Sequence, residues 1–165
     1  MVKLRPLALQ ELVLVQSIAR RTWPSTFATI LSPEQIEYML NWMYDLAQLE
    51  GQLSKGHTFL VATEEDTELG FAGFELNYAE GPTAKLHKLY LLPEAQGKGL
   101  GKTLLLEVAQ RARAAGQKKL QLNVNKYNRQ AIDFYLRMGF VTLREEVNDI
   151  GKGYVMDDFV MELTL

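Results

Sequence analysis

Six residues, Gln96-Gly97-Lys98-Gly99-Leu100-Gly101, constrain this chain more than any others. They follow an apolar run closed by Pro93 and lead into a helical pattern from Lys102 to Ala115. Three glycines at alternate positions strip side chains from a loop that feeds a helix N-terminus. Such a turn exposes backbone N–H groups, and the helix dipole adds partial positive charge. Together these suit a phosphate or diphosphate. A plain strand-to-helix turn is the competing reading, because glycines serve turns everywhere.

Two nucleotide motifs share part of this pattern and fail on the rest. Gly101-Lys102-Thr103 matches the end of a P-loop, but the first glycine would fall on Gln96. The next strand, Leu120 to Asn125, has no acid to hold magnesium. A dinucleotide-binding turn needs its third glycine where Lys102 stands, and its acid about 20 residues on is missing.

The surrounding pattern alternates strands and helices. Val2 to Arg5 reads as a strand. A helical pattern runs from Leu9 to Arg21 and is broken at Trp23-Pro24. Ser32-Pro33 starts a second helix, with Ser32 as cap. A third stretch, Asp45 to Lys55, ends at Gly56. His57–Thr63, Leu69–Leu76 and Ala84–Leu92 form a three-stranded meander. The Lys102–Ala115 helix closes on Gly116. Lys119–Asn125 alternates as a half-buried strand. Asn128 caps a helix through Met138. Phe140–Val147 and Tyr154–Leu165 are the last strands, joined by a polar loop from Asn148 to Gly153. Residues 1–165 read as one α/β domain on a mixed sheet.

The bulk numbers remove several function classes. A net charge of -2 gives no global basic field for nucleic acid or an acidic membrane. No cysteine is present, so thiolate metal sites and a Cys nucleophile are out. No stretch reaches the roughly 18 apolar residues of a membrane span. His57 and His87 are far apart in sequence and show no metal-ligand spacing. The expectation is a cytoplasmic protein with no metal.

Gln96 to Gly101 resembles the Q/R-x-x-G-x-G/A segment of the GNAT superfamily of N-acetyltransferases. Leu89-Tyr90-Leu91-Leu92-Pro93 resembles the strand upstream of it. Asn128 to Phe140 is similar at every fixed position to the family's second signature, N-x-x-A-x-x-F-Y-x-x-x-G-F. The ending, Tyr154 to Leu163, resembles that of bacterial members, including polyamine-acetylating ones. The resemblance implies a single-domain fold with a mixed, mostly antiparallel sheet, splayed parallel strands and helices on both faces. It implies acetyl-CoA as donor and a primary amine of a small molecule as acceptor. A peptide or protein acceptor and a non-catalytic CoA-binding module are the alternatives. Some relatives pair their last strands in a homodimer.

Under the resemblance, the amides of Gly97 to Gly101 hold the CoA diphosphate, with Gln96, Lys98 and Lys102 beside them and Asn128 on the pantetheine. The pantetheine arm bonds like an added strand to Leu89, Tyr90 and Leu91. A backbone N–H there polarises the thioester carbonyl. Tyr135 is the general acid, protonated at neutral pH. His87 matches in position a histidine of arylalkylamine acetyltransferases and suits proton relay; Glu75 or water is the alternative base. Trp23, Phe27, Tyr38, Trp42 and Tyr44 could wall the acceptor site, with Glu34, Glu37 and Asp45 receiving a cation; core aromatics and a solvated acidic face are the competing reading. Tyr127 stands beside the splay.

Overall fold

The computed structural model describes residues 1–165. Seven strands form one sheet: β1 (Val2–Pro6), β2 (Thr58–Glu64), β3 (Thr67–Ala79), β4 (Thr83–Leu91), β5 (Lys119–Asn125), β6 (Val141–Gly151) and β7 (Tyr154–Thr164). Their order is β1-β2-β3-β4-β5-β7-β6. Only the β4–β5 pair is parallel. The helices are α1 (Val13–Thr26), α2 (Pro33–Met43), α3 (Leu46–Ser54), α4 (Leu100–Ala114) and α5 (Arg129–Arg137). This is the mixed, mostly antiparallel sheet that the resemblance implies. No helix is long and apolar enough to cross a membrane.

Neighbouring strand residues point to opposite faces of a sheet. The Tyr90 ring meets Trp23 of α1 at 5.7 Å. A side chain at Gly101 of α4 would instead touch Leu91. So α1 and α4 cover different faces, and β2 to β4 are buried between them. An inner sheet buried on both sides gives continuous apolar runs such as Phe59-Leu60-Val61-Ala62.

The parallel pair holds only from Thr83↔Lys119 to Leu86↔Leu122. Beyond Leu86, β4 stays paired to β3, with Ala72↔Leu89 and Phe71↔Tyr90. Beyond Leu122, β5 stays paired to β7. The two strands therefore part, and one row of β4 backbone groups faces the gap. The register of β3 against β4 slips between Gly73 and Phe74, leaving His87 unpaired in the ladder. A bulge of this kind re-aims side chains beside a site.

Three boundaries differ from the sequence reading. Helix α1 runs through Pro24 to Thr26 instead of breaking at Trp23. Pro24 lies in the last turn, where it costs one backbone bond, and Phe27 N–H closes the helix on the Trp23 carbonyl. Burial of Trp23, 2% exposed, holds that turn against the proline. Helix α4 begins at Leu100, two residues before the expected Lys102, because Gly99 in the left-handed region (φ 76°) serves as its N-cap. The polar loop after Val147 is instead strand. β6 and β7 run up to a two-residue turn, Lys152-Gly153, both at positive φ. That backbone matches the twist of a hairpin. β6 forms one edge of the sheet and β1 the other. β6 carries exposed Val141, Leu143 and Val147, and a homodimer built on the last strands would add here.

Gly70 of β3 lies under the splayed end of β4. A Cβ there would come within 2.6 Å of Leu91 Cδ2 and 2.7 Å of the Tyr90 carbonyl oxygen. Backbone cannot step aside cheaply, so Gly70→Ala should destabilise the protein by about 1–3 kcal/mol. A urea unfolding midpoint unchanged from the parent would contradict this packing.

Candidate active site

Two cavities open where β4 and β5 part. One, of about 580 Å³, is lined by the glycine loop, the end of β4 and α5. The other, of about 730 Å³, is lined by α1, α2, α3, β4, β5 and the β6–β7 hairpin. Leu89, Tyr90, Asn128, Ala131 and Tyr135 line both. The splay is thus a passage between two chambers, with five residues at the junction.

The first chamber has the chemistry of an anion cradle. Thr103 makes the first backbone bond inside α4, to the Gly99 carbonyl, which leaves the amides of Leu100, Gly101 and Lys102 without partners in the helix. Gly97 and Gly99 both have positive φ, and a Cβ on either would meet nothing within 4 Å. The space before the loop is therefore open. Gln96, Gly97, Gly99, Leu100, Gly101 and Lys102 line it, together with Leu91. Lys98 does not; its side chain is exposed outside the chamber. Asn128 accepts from the Ala131 amide at 3.3 Å, so it caps α5 while lining the junction.

Tyr135 is 8% exposed and packs edge-on to Phe140 at 5.4 Å. Its hydroxyl has no protein partner, yet it is not sealed in. Burial pushes the phenol well above its ordinary range, so it keeps its proton. Tyr90 is pushed up in the same way, first by burial, then by the charges of Tyr135 and Asp158.

The second chamber differs from expectation in its walls. Trp23, Phe27 and Trp42 line it. Tyr44 is core, 1% exposed. Tyr38 faces a shallower cleft with Glu34 and Glu37, and its hydroxyl donates to the Ile150 carbonyl, tying α2 to the β6–β7 hairpin. Asp45 precedes α3 and lines neither chamber, and Tyr127 is an exposed surface residue. The acids that do line the second chamber are Glu146, Asp149 and Asp158. They come from the last two strands, where nothing in the sequence marks them out.

His87 lines this chamber, and its Nε2 lies 2.7 Å from Glu75 Oε1. His57 Nε2 sits 3.4 Å from the other oxygen of Glu75, and the two imidazoles stack at 4.9 Å. The two histidines, distant in sequence, therefore share one carboxylate, His57 from just before β2, Glu75 from β3 and His87 from β4. Burial lowers His87 to about 4, against the hydrogen bond from Glu75, so the ring is neutral near pH 7. Its Nε2–H then donates to Glu75, and Nδ1 carries the free lone pair.

Two lysines missed by sequence reasoning also line the chamber. Lys88 is 6% exposed, donates to Gln52 Oε1 at 3.0 Å, and lies over the Tyr44 and Phe59 rings. Burial lowers it to about 8. Lys85 donates to Asn123 Oδ1, and burial lowers it too.

Comparison with known proteins agrees with this geometry. The pattern of the family described as "Acetyltransferase (GNAT) family" matches residues 14–140. The chain is 31% identical to a spermidine N(1)-acetyltransferase of Thermoplasma acidophilum, over 98% of this chain and 96% of that one. It is 33% identical to the peptidyl-lysine N-acetyltransferase YjaB of Salmonella typhimurium, over 62% of this chain and 63% of that one. In structure it is similar to the PaiA N-acetyltransferase of Thermoplasma acidophilum in complex with coenzyme A. That match has a TM-score of 0.84 and 29% identity, and covers 100% of this chain and 99% of that one. A glycine cradle, a splayed sheet and a buried tyrosine at the junction thus stand within a sequence pattern that runs through both signatures. The chain belongs to the GNAT family, and it is an N-acetyltransferase that uses acetyl-CoA.

Proposed function

We propose that the acceptor is a small, cationic primary amine of the polyamine kind, and that it enters through the 730 Å³ chamber. The observation that carries this is the junction: two chambers meeting at Leu89, Tyr90 and Tyr135 let donor and acceptor approach from opposite sides. The acceptor chamber has the size of a small-molecule site. Lys85 and Lys88 on its wall are held by Asn123 and Gln52. The three acids Glu146, Asp149 and Asp158 outnumber them and favour a cation, and a relative acts on spermidine.

In this reading the glycine-loop amides and the α4 dipole hold the CoA diphosphate, with Gln96 and Lys102 beside it. Asn128 and the open edge of β4 at Leu89 to Leu91 hold the pantetheine as an added strand. A β4 amide at the junction donates to the thioester oxygen as negative charge develops there, an effect worth roughly 10²–10³ in rate. Tyr135 donates to the sulfur as it leaves. His87, nearer the solvent than the junction, carries the released proton outward, with Glu75 fixing its tautomer. The two chambers meet at the junction, where the amine attacks the thioester directly, with no acetylated enzyme between.

Initial rates on spermidine, an arylalkylamine, amino acids and N-terminal peptides test this. The expected kcat/KM for spermidine exceeds that for any peptide by roughly tenfold or more. His87→Gln should lower kcat and leave that ranking intact. A ranking headed by peptides would overturn the small-molecule reading and leave acetyl-CoA use untouched.

A further inference from the structure

Asp158 is the most deeply buried carboxylate in the molecule, 3% exposed, and no Lys, Arg or His lies within ion-pair distance of it. The neighbouring Asp157 takes Lys126, and Arg144 goes to Glu146. Its one hydrogen bond is long, 3.5 Å from Asn123 Nδ2. Asn123 stands between Asp158 and Lys85, accepting from the lysine and donating at 3.2 Å to Glu146. The other carboxylate oxygen has no protein partner, and it is not sealed off from the chamber that Asp158 lines. A buried charge without a partner is costly, and proteins rarely keep one unless a ligand completes it.

The register places this group in the larger chamber, near the end of the parallel pairing. β4–β5 pairing ends at Leu86↔Leu122. Three residues further on, β4 has reached Leu89, and β5 has reached Asn125, whose partner on β7 is Asp158. Asp158 therefore lies one strand beyond β5 from that segment of β4, on the wall of the chamber that Leu89 and Tyr90 also line. Its charge is also felt at Tyr90. Burial, the largest influence, raises its carboxyl above the ordinary range and makes it a better proton acceptor than a surface aspartate.

We propose that Asp158 receives the ammonium of the acceptor in the larger chamber and takes its first proton. This rests on the larger chamber being the acceptor site, and it names the residue that selects a cationic amine there. A proton passes from the alkylammonium nitrogen to Asp158. The freed lone pair forms the C–N bond to the thioester carbon. The C–S bond breaks, sulfur leaves with its electron pair, and it takes the Tyr135 proton. Tyr135 is reprotonated from the acetylated nitrogen, which still carries two hydrogens. The proton on Asp158 returns to solvent.

The test is the pH profile of Asp158→Asn on one alkylamine substrate of the parent enzyme. The charged and titratable groups around this carboxylate are Lys85 on β4, Glu146 on β6, the neighbouring Asp157 on β7, and the phenol of Tyr90. At about pH 7 the amine is almost wholly charged, and kcat/KM should fall roughly 10²-fold. At about pH 9.5 much more free amine is present, and the deficit should shrink below roughly tenfold. Acetyl-CoA binding should be unchanged. A deficit constant across pH, or none at pH 7, would overturn the proposal. Asp158→Ser guards against a folding artefact of the first variant. If neither variant folds, the carboxylate is structural and the proposal fails. Failure of acetyl transfer itself would already appear in the parent enzyme, before any variant is compared.

Discussion

Tyr135→Phe should lower kcat by roughly 10²–10³-fold while acetyl-CoA binds as before. The ring sits between Phe134 and Phe140, at 5.2 and 5.4 Å, and phenylalanine preserves those contacts. Only the hydroxyl is lost, and it has no partner in the protein. Its removal therefore costs the fold almost nothing and, with Tyr135 as the proposed acid, strips the junction of its proton donor. Because burial raises the phenol, it is protonated across the working range, and the parent enzyme should show no loss of rate from its ionisation near neutrality. Steady-state kinetics between about pH 6 and 9 check this, and an unchanged kcat throughout would remove Tyr135 as the acid.

Gly99→Glu should abolish useful donor binding, with acetyl-CoA affinity falling roughly 10²-fold or more. Two effects combine. Gly99 holds φ 76°, a conformation that costs a side-chain-bearing residue about 1–3 kcal/mol. The new carboxylate would also project into the open space before the α4 amides, where it meets the same donors as the diphosphate. About 2.7 kcal/mol corresponds to roughly 10²-fold in affinity. Gly99→Ala separates the effects, since its Cβ meets nothing within 4 Å and adds no charge. It should bind more weakly than the parent and far better than the glutamate variant. Heat stabilisation by acetyl-CoA is the readout, because a ligand of the folded state raises its stability as the concentration passes Kd. Full stabilisation of Gly99→Glu would contradict the cradle.

Legibility from sequence followed the range of the interactions. The glycine loop, the Ser32 and Asn128 caps and the Gly116 stop all report backbone conformations set within a few residues, and the structure has them where the sequence puts them. Trp23-Pro24 misled because the proline rule is local, whereas the helix is held by burial of Trp23 against Phe27, Tyr44 and Tyr90. The acids Glu34, Glu37 and Asp45 were as plausible as Glu146, Asp149 and Asp158 while only composition was considered. Which set lines the chamber depends on how the β6–β7 hairpin folds over α2, a contact made in part by Tyr38 and Ile150.

By itself, the sequence determined the local geometry of the proposed donor half: a short segment makes the glycine turn that opens α4, and a second carries the Asn128 cap and Tyr135. The acceptor half was decided only by the tertiary structure. Parting β4 from β5 after Leu86 and Leu122 requires that each be better paired elsewhere, to β3 and to β7. That parting brings Tyr135, Leu89 and Asn128 to one junction, and Asp158 to the wall of the chamber beside it, from distant stretches of chain. Strand pairing is a long-range choice, made by the burial of whole sheet faces, and no single stretch of residues encodes it.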